Sequence, residues 1–165
     1  MDVLWAGWRS AYMNEVQQGT EAGACLFCEL PSGDDDSAYI LERAGAAFSV
    51  LNLYPYTSGH LMISPYRHVA VPGDLTRDEQ RDTWDLLGRS QRALDAVLGP
   101  HGYNLGVNQG RAGGAGVLDH FHLHVVPRWA GDANFMTATA NARILPEALG
   151  DTWHRLREYL SRDPS

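Results

Sequence analysis

The chain has 165 residues, which suits one domain with a packed core and is short for two. Its 44% hydrophobic and 20% charged residues are typical of a globular protein and exclude a disordered chain. All 13 basic side chains are arginines, so chemistry that needs a lysine amine, such as a Walker A loop or a Schiff base, is excluded. The net charge of −7 predicts that the protein does not bind long nucleic acids.

The N-terminal residues 1–20 place Trp5, Trp8 and Tyr12 at spacings of three and four. This spacing predicts a helix or arm that packs an apolar stripe against the domain. No apolar run approaches the roughly 18 residues that span a bilayer, and the first residues lack the basic and apolar regions of a signal peptide. We therefore expect a cytoplasmic protein with no membrane partner.

The cysteines, Cys25 and Cys28, are separated by two residues. In a cytosolic chain this spacing indicates a metal site or a redox pair, and two buried thiols are the structural alternative. Three consecutive aspartates follow within residues 31–38, a segment rich in turn formers. We expect a solvated loop there, with carboxylate metal ligation as the alternative.

Short segments of apolar or alternating residues predict five strands joined by turns and loops. The predicted strands comprise residues 39–43, 46–53, 61–65, 103–109 and 119–129. Four glycines lie between the last two, within residues 110–116, and their backbone N–H groups could approach an anion. A flexible hairpin connection is the alternative interpretation of this loop.

Two amphipathic helices are also predicted, and Thr76 with Glu79 forms a capping box at the start of the first. Their apolar positions are Trp84, Leu87, Leu94 and Leu98 in the first helix, and Leu149, Trp153, Leu156 and Leu160 in the second. Together these elements predict an α+β fold, in which an antiparallel sheet and two main helices form a single domain. We divide it into an N-terminal arm at 1–20, a core at 25–130 and a C-terminal segment and helix at 131–165.

The most informative segment is the row of alternating histidines His120, His122 and His124. On a strand these side chains share one face, while the apolar residues between them face the core. Three histidines could hold a catalytic zinc ion, or one imidazole could be a nucleophile toward a phosphate. The preceding glycine-rich loop favours the phosphate interpretation, because its N–H groups suit an anion.

The sequence HFHLHVV matches the signature of the histidine triad (HIT) superfamily of nucleotide hydrolases and transferases at every position, and the chain resembles this superfamily. Residues 52–68 resemble the family's segment that closes over the nucleoside. LWAGWRSAY, VLNLYPY and VVPRWAGDANF resemble the branch of diadenosine tetraphosphate phosphorylases typical of actinobacteria. The resemblance implies the HIT fold, a homodimer and a small nucleotide substrate.

By this resemblance His122 attacks the α-phosphorus of the nucleotide, and water or phosphate then accepts the nucleotidyl group. His124 is the expected acid or electrostatic partner of the leaving oxygen. Asn108 matches the family's phosphate-contacting asparagine, although a turn-capping role is the structural alternative. Asn52 stands where many relatives hold the ribose with an acidic residue, and an amide can still donate and accept there.

Leu51, Leu53 and Tyr54 would then form a wall for the base, with core packing as the alternative. The chain departs from the family just before the triad, where relatives carry a Ser, Thr or Gln side chain that faces the phosphates. Residues 115–119 have none of these side chains. We expect the backbone N–H groups of Gly114 and Gly116 to replace them, and Arg111 could add a positive charge.

The resemblance also implies a structural zinc ion and no organic cofactor. Many bacterial HIT proteins hold zinc with a Cys-x-x-Cys pair, the histidine of Pro-x-x-His and the first triad histidine. The corresponding residues here are Cys25, Cys28, His68 and His120. Such a set is closed and leaves no position for water. His60 is expected to be a buried histidine that orders its loop, and His101 and His154 are expected at the surface.

The expected activity is nucleotidyl transfer from a dinucleoside polyphosphate, such as diadenosine tetraphosphate, through a covalent intermediate on His122. Two alternatives remain open from the sequence. A nucleoside phosphoramidase would cleave a P–N bond with the same residues. A nucleotide-binding or scaffolding module without catalysis would explain the missing side chains before the triad.

Overall fold

The computed structural model describes residues 25–132 and 147–162. The predicted N-terminal arm at 1–20 lies outside the described residues, as does most of the segment that precedes the C-terminal helix. No helix in the described ranges combines the length and the apolar character needed to cross a membrane.

Within the described residues, five antiparallel strands form one sheet in the order β1-β2-β3-β5-β4. The strands are β1 (Ile40–Arg43), β2 (Ala47–Leu51), β3 (Leu61–Pro65), β4 (Gly102–Gly106) and β5 (Leu123–Arg128). The helices are α1 (Leu26–Glu29), α2 (Arg77–Leu98) and α3 (Leu149–Arg162), and short 3-10 turns cover Leu30–Ser32 and Pro72–Asp74. The predicted α+β class and antiparallel sheet are confirmed.

Strands β2 and β3 are buried along their whole length, because both faces of the sheet are covered there. One face packs against the two long helices, and side chains such as Leu61, Ile63 and Leu94 meet in this core. The opposite face holds a smaller cluster that contains Phe27, Phe48 and Met62. This smaller cluster lies on the side of the sheet where α1 packs.

Helix α2 begins as the sequence predicts. The Thr76 hydroxyl accepts from the Glu79 N–H at 3.2 Å, and the Glu79 carboxylate accepts from the Thr76 N–H at 2.7 Å. Trp84, however, is 63% exposed, so its predicted place on the buried face is wrong. Trp84 lies about 100° around the helix from the buried Thr83. This rotation points the Trp84 ring to solvent.

Helix α3 covers β1 through its predicted apolar face, with Trp153, Leu156 and Leu160 all buried. Two side chains of the helix also donate to the backbone of β1. The Trp153 indole bonds the Ile40 carbonyl at 3.0 Å, and Arg157 bonds the Leu41 carbonyl at 2.7 Å. These bonds fix the helix along the edge strand.

Four of the five strands are shorter than the sequence predicts, and the differences in β4 and β5 bear on the site. Strand β4 ends at Gly106, so Asn108 lies beyond it, and β5 begins at Leu123. Before β5, the Phe121 N–H bonds the Val69 carbonyl at 2.6 Å instead of continuing the ladder with β3. His120 and His122 therefore precede the strand.

We predict that Gly59→Ala destabilises the fold more than Gly99→Ala. Both glycines have positive φ, at 76° and 58°, where a side chain costs about 1–2 kcal/mol. A Cβ at Gly59 would also lie 2.6 Å from Leu98 and 2.7 Å from Leu94, whereas nothing lies within 4 Å at Gly99. Overpacking adds about 1–3 kcal/mol to the loss at Gly59.

Urea unfolding of the two variants measures this difference in the free energy of unfolding. Equal losses would mean that the leucines move aside without cost. A larger loss at Gly99 would contradict the packing explanation altogether.

Candidate active site and metal centre

The three triad histidines project from one side of the chain, as the alternation predicts. Phe121, Leu123 and Val125 pack into the core under the helices. His120 and His122 are 1% and 4% exposed. The imidazoles of His122 and His124 meet edge to face with their centroids 5.0 Å apart. The alternation holds although only His124 belongs to β5.

The proton on His122 is placed by its hydrogen bond. Its Nδ1 lies 2.9 Å from the His120 carbonyl oxygen, which can only accept. Nδ1 therefore carries the hydrogen, and Nε2 keeps a lone pair. Burial lowers the pKa of His122, which favours the neutral ring. This imidazole has the tautomer of a nucleophile.

The proton on His124 is placed by a longer chain of bonds. The Tyr56 N–H, which can only donate, lies 3.1 Å from His60 Nδ1. His60 Nε2 must then carry the hydrogen in the neutral ring, and it lies 3.0 Å from His124 Nδ1. His124 Nδ1 is thus an acceptor, so its own hydrogen sits on Nε2. A neutral His124 can donate where His122 can attack.

His60 is fully buried, as predicted, and it does more than order its loop. The Tyr56 N–H donates to its Nδ1, and its own Nε2 hydrogen is donated to His124 Nδ1. Tyr56 stacks on its ring with the centroids 4.8 Å apart, and Asn52 Nδ2 lies 3.4 Å from its Nδ1. The sequence analysis did not predict the link to His124, because the two histidines are 64 residues apart.

His122 and His124 line an open cleft of about 530 Å³. Apolar side chains and polar groups share its wall, a composition that suits a ligand with a flat apolar part and a polar part. The lining residues on the apolar side are Leu26, Phe27, Met62 and Val117. The others are Asn52, Tyr54, Tyr56, Asn108, Gly114, Gly116 and the two histidines.

The structure brings Asn52, Asn108, Gly114 and Gly116 to this cleft but not Leu53, which is 56% exposed. The Asn52 side-chain oxygen accepts from the Tyr54 N–H at 3.0 Å. Such an Asx-type turn takes the chain out of the sheet, and Tyr54 beyond it lines the cleft. The predicted contact of Leu53 with the base stays a prediction.

Gly114 lines the cleft, but its backbone N–H is already used. It donates to the Arg111 carbonyl at 3.0 Å, within the turn that the glycine loop makes. The Gly114 φ of 79° allows this turn. The Gly114 N–H thus has a backbone partner within the loop. The predicted phosphate contacts of Gly114 and Gly116, which both line the cleft, stay predictions.

Cys25, Cys28, His68 and His120 come together as the sequence analysis expects. Their ligand atoms all lie within 4.8 Å of one another, so they could hold a metal ion. Nδ1 of His120 is 3.2 Å from Cys25 Sγ, and Nδ1 of His68 is 3.3 Å from Cys28 Sγ. The Nε2 of His120 donates to the Pro65 carbonyl at 2.9 Å, which leaves the Nδ1 lone pair toward the sulfurs.

Ionisation of the Cys28 thiol is disfavoured when no cation is bound. Partial burial and the neighbouring Cys25 thiol raise the pKa of Cys28. A cation bound by both sulfurs removes this penalty, because thiolates are the metal-binding form. Two sulfurs and two imidazole nitrogens are a donor set that zinc prefers.

A one-turn helix carries both cysteines. The N–H groups of Cys28 and Glu29 donate to the Cys25 carbonyl at 3.0 and 3.1 Å, which folds α1 around the pair. Phe27, between the cysteines, is 1% exposed and stacks on His122 with centroids 4.8 Å apart. The sequence analysis missed Phe27, although its place within the Cys-x-x-Cys segment is a signal that could have identified it.

Comparisons with known proteins agree with this geometry. A family model described as the HIT domain matches residues 34–131. The AP-4-A phosphorylase of Mycobacterium tuberculosis is 37% identical over 166 residues, which cover 98% of this chain and 85% of that protein. The adenosine 5'-monophosphoramidase of Schizosaccharomyces pombe is 30% identical over 105 residues, with 64% of this chain and 74% of that protein covered.

A solved structure is similar as well. The crystal structure of a zinc-bound histidine triad family protein from Mycobacterium smegmatis has a TM-score of 0.67 and 28% sequence identity. The likeness covers 84% of this chain and 94% of that one. The histidine row, the sheet and the match to the family model all agree. The chain therefore belongs to the HIT domain family.

Proposed function

We propose that this protein transfers a nucleotidyl group from a dinucleoside polyphosphate to phosphate or water. The observation that carries the proposal is the pair of tautomers at the cleft, a lone pair on His122 Nε2 and a hydrogen on His124 Nε2. The similarity to the AP-4-A phosphorylase over nearly the whole chain supports the substrate class.

In the first step His122 Nε2 attacks the α-phosphorus. An N–P bond forms, and the P–O bond to the leaving nucleoside polyphosphate breaks. The Nε2–H of His124 donates a hydrogen bond to the leaving oxygen and stabilises the negative charge that develops on it, while the proton stays on His124. The low pKa of His122 keeps its ring available as a nucleophile near neutral pH, because less of it is protonated.

In the second step an inorganic phosphate or water oxygen attacks the nucleotidyl group on His122. The N–P bond breaks, the electron pair returns to His122 Nε2, and the proton of the acceptor is released to solvent. Phosphate as acceptor yields a nucleoside diphosphate, and water yields a nucleoside monophosphate.

The side chains of the cleft wall supply substrate contacts. Asn52 uses its oxygen for the Tyr54 N–H, but an amide has a second lone pair and a second hydrogen for ribose hydroxyls. Asn108 can donate to a phosphate oxygen without adding charge. The Gly116 backbone also lines the cleft. The apolar side of the cleft, with Leu26 and Met62, suits the base.

The four-residue metal set would hold zinc as a structural ion. Zinc bound by two thiolates and two imidazoles has no open position, so it supplies a cross-link between α1 and the sheet. Thiolates that hold a metal need a reducing compartment, which supports a cytoplasmic location.

The exposed edge of the sheet supports a homodimer in which two copies of the chain meet along β4. Strand β4 is the last strand of the sheet, and Leu105 and Val107 on and beside it are 46% and 37% exposed. An edge strand with apolar side chains favours pairing with another copy of the chain.

We predict that incubation with diadenosine tetraphosphate and inorganic phosphate yields ATP and ADP. ATP with AMP in the absence of phosphate would identify water as the acceptor. Because the Schizosaccharomyces pombe relative is an adenosine 5'-monophosphoramidase, adenosine 5'-monophosphoramidate is the second substrate to test. Separation of the products by chromatography measures all three outcomes, and no cleavage of either substrate would contradict an enzymatic role.

Replacement of the nucleophile separates chemistry from binding. We expect His122→Asn to lower turnover by about 10⁴-fold or more, since no N–P bond can form. Binding of AMP, measured by calorimetry, should survive in this variant. Turnover that persists would rule out the covalent mechanism.

The hydrogen bond from His124 gives a different signature. We expect His124→Asn to lower cleavage of diadenosine tetraphosphate by about 10²–10³-fold. The loss should be smaller for the p-nitrophenyl ester of AMP, because the nitrophenyl ring delocalises the negative charge of its leaving oxygen. His60→Gln should show the same pattern to a smaller extent, because His60 acts through His124. Equal losses for both substrates would argue against a hydrogen bond from His124 to the leaving oxygen.

Zinc occupancy is open to direct measurement. We expect the purified, unchelated protein to contain about one zinc ion per chain, and a chelator to lower its melting temperature. Cys28→Ser should lose the ion, while Ser32→Ala, a nearby change outside the four ligands, should keep it. A metal-free protein whose melting is unaltered by chelator would defeat this assignment.

A further inference from the structure

Phe27 lies between the metal ligands and the cleft and contacts both. Its ring stacks on His122 at an interplanar angle of 25°, with the centroids 4.8 Å apart. The same ring is tilted against the imidazole of His120, with the centroids 5.5 Å apart. One aromatic side chain thus touches a metal-site histidine and the nucleophile.

The turn that carries Phe27 depends on contacts with the rest of the protein for its position. Helix α1 has four residues, far fewer than a helix needs for stability in isolation. Cys25 and Cys28 belong to this turn, whereas His68 and His120 belong to distant parts of the chain. A metal ion bound by the four side chains would therefore fix α1, and with it Phe27, relative to the triad.

The other side of the same turn forms part of the cleft. Leu26 and Phe27 line it together with His122. A nucleotide bound there would contact Leu26 and Phe27, whose positions a bound metal ion would fix. Contacts on both sides of one short element are a physical route by which two ligands affect each other's affinity.

We propose that Phe27 is a positioning residue that couples the metal site to the nucleotide site, so that bound metal tightens nucleotide binding and holds His122 in place. The inference rests on the proposed nucleotide function. Thermodynamic linkage requires the reciprocal effect, in which a bound nucleotide tightens metal binding by the same factor.

Packing alone is the competing explanation for Phe27. It belongs to the apolar cluster that contains Phe48 and Met62 under the sheet. A residue that only fills this cluster would lower overall stability when replaced, and it would leave the coupling factor between the two ligands unchanged. The coupling factor is therefore the quantity that separates the two explanations.

The experiment measures the zinc affinity of the zinc-loaded protein by competition with a chromophoric chelator, with and without saturating AMP. We expect AMP to raise zinc affinity by at least about fivefold. In Phe27→Leu this factor should fall to near one, while AMP still binds. Phe27→Tyr keeps a ring and should keep the factor. Phe48→Leu makes the same change in the same apolar cluster, at a residue that does not line the cleft, and serves as the matched control.

Each other result has a definite meaning. AMP that binds without changing zinc affinity would overturn the coupling and leave the proposed function standing. A full coupling factor in Phe27→Leu would overturn the role of Phe27. Failure of AMP to bind the wild-type protein would overturn both proposals. If Phe27→Leu does not fold, Phe27→Met tests the same loss of the ring.

Discussion

Two backbone groups decide what the histidines of this protein can do. The His120 carbonyl takes the hydrogen of His122 Nδ1, and the Tyr56 N–H occupies the lone pair of His60 Nδ1. A main-chain group has a fixed direction and a fixed role as donor or acceptor, so the tautomers follow from the fold and not from the surrounding solvent. Burial adds to this, because it keeps the His122 ring neutral.

The sheet makes these bonds attainable. Antiparallel pairing sets His124 opposite Met62 of β3, one residue after Leu61 and two after His60. His60, which directly precedes β3, is therefore brought beside His124 of β5. Helices cover the opposite face of the sheet and bury Phe121, Leu123 and Val125, so the chain at 120–125 cannot rotate without exposing apolar side chains.

The parts that could be predicted from sequence are those set by local pattern. The histidine alternation and the capping box of Thr76 and Glu79 depend on residues a few positions apart, and both are present. Expectations that needed distant contacts were less accurate. The start of β5 depends on Val69, whose carbonyl accepts from the Phe121 N–H.

Long-range bonds also explain the two site features that the sequence did not reveal. The link of His60 to His124 and the stacking of Phe27 on His122 join segments far apart in the chain. Residue type alone is ambiguous at such positions, because buried histidines and phenylalanines are common in ordinary cores. The four metal ligands were predictable because the family resemblance assigned all of them, and the structure brings them together.

The same bonds argue against the other interpretation of the histidine row, a catalytic metal held by all three imidazoles. His120 has no nitrogen left for the cleft, since Nε2 bonds the Pro65 carbonyl and Nδ1 faces the sulfurs. His122 and His124 each use Nδ1 in a hydrogen bond within the protein. A catalytic zinc commonly needs three protein ligands, each with a free lone pair. Here Nε2 of His122 has a lone pair and Nε2 of His124 has a hydrogen, and this opposite pairing is what a nucleophile and a hydrogen-bond donor to its leaving group require.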